Sequence, residues 1–198
     1  MFSQRHQLSY TVPYSFVESG GHSANGVGDV LLNYRLQALF ETDALPAFAP
    51  RVSLILPTGD ESEGFGNDTL GYQFNLPLSK IIHDRWTAHV NAGLTVFPDL
   101  NDRNPVTYHT GGSLIYAANE HLNFMLELLG QWTEDVQAGG AIDREFEAIV
   151  SPGIRYGFDI GESQLVLGIG APVGLSGAAA DYGVFLYVSF EHGFLPTD

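Results

Sequence analysis

The chain has no cysteine among its 198 residues. That excludes a disulfide framework and any thiolate metal site. Lysine and arginine number only 8 against 23 aspartates and glutamates, a formal net charge of -15. Nucleic-acid binding normally demands a basic patch, so no nucleic-acid partner is expected. Charged residues of all kinds make up 16%, low against about 25% in an average soluble protein. No apolar run approaches the roughly 18 residues of a membrane-spanning helix. The opening MFSQRHQLSY has no apolar signal core. The expectation is that either the chain is never exported or its sequence begins inside a longer precursor.

Glycine (23 residues), aromatics (12%) and a strict period of two are plentiful. In RWTAHVNAGLTVF (85–97), Trp86, Ala88, Val90, Ala92, Leu94 and Val96 alternate with Thr87, His89, Asn91, Gly93 and Thr95. Successive side chains on a strand point to opposite faces, so this segment has one apolar and one polar face. The same alternation runs through 7–16, 29–40, 51–57, 69–79, 107–117, 122–132, 145–158, 164–173 and 182–192. About ten strands are predicted, mostly near the 9–11 residues that a tilted strand needs to cross a bilayer. Short connections (80–85, 118–121, 159–163, with 41–49 on the same side) alternate with longer polar ones (20–28, 60–68, 99–105, 134–144, 174–181). Short periplasmic turns and long extracellular loops are the layout of an up-and-down outer-membrane barrel.

A soluble barrel alternates too, but turns its apolar face inward and must charge its outside. Here the other face carries mostly Gly, Ser, Thr, Asn and Gln, a poor exterior for water. It suits a narrow lumen, with the apolar face on lipid and every backbone group paired by closure. Trp86, Tyr116, Phe124, Tyr156, Phe158 and Phe190 would ring the periplasmic rim. Phe16, Tyr72, Tyr108, Trp132, Phe146 and Tyr182 would ring the outer one, as aromatic girdles do. The expected fold is thus all-β, a single antiparallel transmembrane barrel domain over residues 1–198. Ten strands are visible, and a precursor with one more hairpin would have about twelve. Pro13, Pro57, Pro77, Pro152 and Pro172 lie in predicted strands and cannot donate to a ladder, so local bulges are expected beside them.

QLSYTVPYSF, GVGDVLLNYRLQ, PRVSLILPTGD, GNDTLGYQFNLPLSK and RWTAHVNAGLTV together resemble the transporter-like outer-membrane β-barrel family of meta-pathway phenol-degradation proteins. The likeness is best over residues 7–97, with SPGIRYGF (151–158) as a later echo. Its most specific pieces are G-x-G-D (26–29), LPTGD (56–60) and the LSK…RW pair (78–86). The resemblance implies a barrel in the outer membrane of a Gram-negative bacterium that passes small, aromatic or apolar compounds. It implies no catalytic residues.

Arg35, Arg51 and Arg155 are predicted to point into the lumen, and Glu127, Glu147 and Glu191 to enter it from other strands. They would form either a charge filter or a plug of paired charges. His89 and His109 face inward on adjacent predicted strands. With Ser113 and Glu127 they raise the idea of a hydrolase or metal site. No histidine pair has metal-ligand spacing, however, and Ser113 has no nucleophile-elbow surroundings, so they read as lumen filler. The acid-rich 59–68 segment could hold a weak Ca²⁺, yet it does not match an EF-hand. A solvated loop bridged to lipopolysaccharide is the plainer reading. The expected function is passive passage of a small-molecule solute, without enzymatic activity, cofactor or resident metal; the bilayer and lipopolysaccharide are its surroundings. The alternatives are a barrel enzyme acting on lipid or lipopolysaccharide, and a soluble ligand-binding barrel.

Overall fold

The computed structural model describes residues 5–19, 22–137, 141–161 and 163–192, and of 17–19, 22, 191 and 192 the backbone alone. All regular structure among them is β, with no helix. The strands are β1 (His6–Thr11), β2 (Tyr14–Ser19), β3 (His22–Val27), β4 (Val30–Leu36), β5 (Ala47–Phe48), β6 (Arg51–Leu56), β7 (Gly71–Asn75) and β8 (Leu78–His83). They continue as β9 (Trp86–Val96), β10 (Val106–Ala117), β11 (Leu122–Val136), β12 (Ile142–Ile160), β13 (Ser163–Gly170), β14 (Val173–Gly174) and β15 (Phe185–His192). The main antiparallel sheet has the order β1-β4-β6-β7-β9-β10-β11-β12-β13-β15. Each of the ten predicted segments supplies one strand of this path. β1 and β15 are its two ends, and the pairing between them that a closed barrel requires is not formed among the described residues. Two compact units are distinguished, Met1–Leu78 with Asn91–His109 and Trp132–Glu145, and Ser79–Val90 with Thr110–Gln131 and Phe146–Asp198.

Prolines account for most departures from the predicted strand boundaries. Segment 7–16 breaks at Pro13 into β1 and β2, and segment 69–79 breaks at Pro77 into β7 and β8. At Pro13 the break is a bulge. β1 and β4 pair up to Thr11↔Leu31, and β2 and β3 resume at Tyr14↔Val27, so Val12 and Pro13 face Gly28, Asp29 and Val30. The extra residue turns the hairpin, while the Pro13 carbonyl still accepts from Gly28 N at 2.9 Å. The predicted loop 20–28 is largely strand β3, because hairpin pairing needs only backbone groups and the loop's polar side chains do not oppose it. Likewise 80–85, expected as a short connection, is mostly β8. β13 and β14 are one run interrupted at Ala171–Pro172, where Ala171 N and Gly183 N donate to the carbonyls of Pro152 and Pro172 at 2.9 Å each.

The two faces of the sheet have opposite fates. In the first unit, Val52 and Leu54 are 42% and 38% exposed while Ser53 between them is 0%. On β4, Leu32 and Tyr34 are exposed around Asn33 at 5%, and on β7 Phe74 is exposed beside Asn75 at 5%. Leu8, Tyr34, Val52 and Phe74 stand side by side across four strands, so the exposed apolar residues form a continuous band rather than scattered points. A protein in water rarely exposes such a band. The second unit follows suit along β12, where Ile154, Tyr156 and Phe158 are exposed and Gly157 is buried. There Trp86 lies against Tyr116 with tilted rings and centroids 4.8 Å apart, and Tyr156 against Phe158 at 4.7 Å, grouping rings assigned from sequence to one rim.

Candidate functional site

Register places the polar residues of the first unit in tiers. Gln7, Arg35, Arg51, Asn75 and Gly93 stand opposite one another across β1, β4, β6, β7 and β9. Two residues along, the next tier is Ser9, Asn33, Ser53, Gln73 and Thr95. The third is Thr11, Leu31, Ile55 and Gly71, with the Phe97 ring filling the space that a Cβ at Gly71 would take.

These side chains bond to one another across the strands. Ser53 Oγ donates to Asn33 Oδ1 at 2.6 Å, and Asn33 Nδ2 to Thr11 Oγ1 at 3.1 Å. Gln73 Oε1 accepts from Arg51 Nη2 and Asn75 Nδ2, both at 3.0 Å, while Gln73 Nε2 donates to Thr95 Oγ1 at 3.2 Å. Asn75 Oδ1 accepts from Asn91 Nδ2 at 3.0 Å and from His109 Nε2 at 2.7 Å. Gly93 makes the last contact possible, since a Cβ there would fall on His109 Nε2 and the Phe74 carbonyl oxygen. Buried polar groups are mostly hydrogen-bonded, and here two groups of cross-strand bonds, Ser53–Asn33–Thr11 and one running from Arg51 through Gln73 and Asn75 to His109, satisfy most of the polar face, with Arg51 Nε and Asn91 Oδ1 left over.

At the far end of β4 the two motif pieces of the sequence meet. Asp29 of G-x-G-D is 7% exposed. Its Oδ1 accepts from Thr58 N at 3.1 Å and Gly59 N at 2.9 Å, both in LPTGD, and its Oδ2 from Asn67 N at 3.0 Å. Thr58 Oγ1 donates to the Gly28 carbonyl at 3.2 Å and accepts from Val30 N at 2.9 Å. The 57–70 loop is therefore clamped to the bulge. Gly26 and Gly28 leave room for Phe65, as a Cβ at Gly26 would lie 2.7 Å from the Phe65 ring. At the loop's outer end Asp60 Oδ1 accepts from Ser62 Oγ at 2.6 Å and Ser62 N at 2.9 Å. The Ser62 hydroxyl first, then its amide, hold the Asp60 carboxyl below the usual carboxylate range.

The sequence-chosen residues divide between the two units. Arg35, Arg51 and His109 lie in the first; His89, Glu127, Glu147, Arg155 and Glu191 lie in the second. Arg35 is exposed, and Arg51 is half-buried with its Nε lacking a partner. His89 Nδ1 bonds Ser79 Oγ at 2.7 Å, so its partner is Ser79 rather than the Ser113 considered from sequence. Arg155 lies along Gly168, where a Cβ would come within 2.9 Å of its Cγ, and its Nε is also buried without a partner. Glu127 is exposed and Glu147 half-buried; the Glu191 side chain lies outside the described residues. Asp29, Asn33, Ser53, Gln73 and Asn75 were not singled out beforehand. Only Asp29 carried a signal, through its place in G-x-G-D. Among the described residues no three His, Cys, Asp or Glu side chains converge to hold a metal ion.

No curated protein matches the chain. The family described as "Putative MetA-pathway of phenol degradation" matches residues 7–191. Both motif pieces joined through Asp29 fall inside that span. The chain belongs to this phenol-degradation family.

Proposed function

We propose that the chain is an outer-membrane β-barrel that lets small molecules pass passively along its polar face. The supporting observation is the inverted burial, with Ser53 enclosed between exposed Val52 and Leu54. Such a sheet suits hydrocarbon outside and a hydrated path within. The ten-strand antiparallel order fits the even strand count of bacterial barrels. Membership in a phenol-degradation family favours small aromatic compounds as solutes. In this reading the surroundings are bilayer and lipopolysaccharide, closure joins the β1 and β15 edges directly or through further strands, and no bond is made or broken.

The test is planar-bilayer recording of the refolded, detergent-purified chain, with liposome swelling in phenol as a second readout. Discrete conductance steps and swelling above protein-free vesicles are expected. A protein that inserts yet neither conducts nor permits swelling would contradict passage. A protein that stays monomeric without detergent would contradict the barrel itself.

A further inference from the structure

We propose that Arg35 and Arg51 form a binding site for the carboxylate of a small organic anion, so that the permeant solute carries that group. This rests on the channel reading above. The two residues are direct register partners on β4 and β6 and share the polar face with Asn33 and Ser53. Like charges directly opposite one another on a sheet are unfavourable, so a structure that keeps them together calls for an anion between them. Among the described residues neither guanidinium has a carboxylate within salt-bridge distance. Their cross-strand neighbours, Gln7 and Asn75, are neutral. Gln73 holds Arg51 by Nη2 at 3.0 Å, which fixes the planar group while Nε–H stays buried and unpartnered. Beside it the exposed Arg35 offers a guanidinium fork, the planar double donor from which carboxylate oxygens accept.

The chain's acidic character does not cancel the site. Arg35 and Asp29 are six residues apart along the strand direction, about 20 Å at a rise near 3.3 Å. That is far beyond the reach of an ion pair. The neighbouring tier of Asn33, Ser53 and Gln73 already donates to Thr11, Asn33 and Thr95, so a phosphate, with more oxygens to satisfy than a carboxylate, finds few free donors beside the arginines.

Sodium benzoate titrated into the full chain in detergent micelles, at constant ionic strength, should shift the Arg51 Nε–H NMR resonance saturably. Sodium chloride should not, and inorganic phosphate should bind more weakly. Arg35→Gln and Arg51→Gln should each weaken benzoate at least tenfold. Arg35→Lys, which keeps the charge and tests for mere misfolding, should weaken it less than Arg35→Gln. Absence of a saturable shift, unchanged affinity in both glutamine variants, or tighter phosphate binding would overturn the proposal. Bilayer recording of the same preparation separates the two readings. Current without benzoate binding contradicts the site alone, whereas benzoate binding without current contradicts the channel and leaves the anion site standing.

Discussion

Gly93 shows how much of the polar interior depends on a missing side chain. Alanine there places a methyl group on His109 Nε2 and on the Phe74 carbonyl oxygen, so either β9 shifts or the His109–Asn75 bond breaks. Overpacking of this kind costs about 1–3 kcal/mol. Gly93→Ala should lower the midpoint of reversible urea unfolding in detergent, while Gly177→Ala, with no neighbour within 4 Å, should leave it unchanged. Equal midpoints for both would contradict the packing described. Asp60 gives a pH-dependent counterpart. Its carboxyl titrates below the usual value because Ser62 donates twice to the charged form. The folded value is the depressed one. The stabilisation of the loop is therefore fully present above the unfolded value near 3.9 and is lost as pH falls through the lower folded value. In a carboxyl-carbon NMR titration, Ser62→Ala should move Asp60 upward toward the ordinary value; no movement would remove Ser62 as the cause.

At the scale of elements, the clamp between β4 and the 57–70 loop is the most specific local device. Asp29→Ala removes the acceptor of three backbone N–H groups. A buried donor left unmade costs about 1–3 kcal/mol, so the loop should open rather than stay unbonded. Limited proteolysis should then cut within 58–67 at least tenfold faster than in wild type, with Asp29→Asn intermediate because its amide oxygen still accepts. Equal cleavage rates would show that the loop is held by something else. The strands themselves were legible in the sequence, because alternation such as Val52, Leu54 and Leu56 against Ser53 is a local property of one segment. The clamp was not, since Asp29 and Thr58 come together only through register, which no single segment encodes. The same holds for Ser53 and Asn33. β3 leaves no mark in the sequence because its residues, Ser23 and Asn25 among them, have no apolar alternation, and β8 is masked because Pro77 falls inside a longer alternating segment. The prolines did forecast a bulge, and Pro13 with Gly28 and Asp29 provides one.

For the whole molecule, burying amides and hydroxyls while exposing leucines, valines and aromatics supports the proposed membrane setting, in which the apolar face meets an apolar solvent. In water the exposed band would drive association; in hydrocarbon it is the favourable face, and the hydrogen-bonded polar residues of the first unit lie on the other side. The family match over residues 7–191 covers every strand of the main path except the first residue of β1 and the last of β15, so the tiers and the clamp both fall within it. With no native cysteine, single-cysteine variants at 32, 33, 34, 52, 53 and 54 can each carry one nitroxide label without background. After reconstitution into vesicles, collision rates with dissolved oxygen, which concentrates in lipid, and with a water-soluble nickel chelate report which solvent each position meets. Oxygen should dominate at 32, 34, 52 and 54 and fall sharply at 33 and 53. Uniform exposure to the nickel chelate at all six, or an oxygen maximum at 33 and 53, would contradict the orientation on which the channel reading depends.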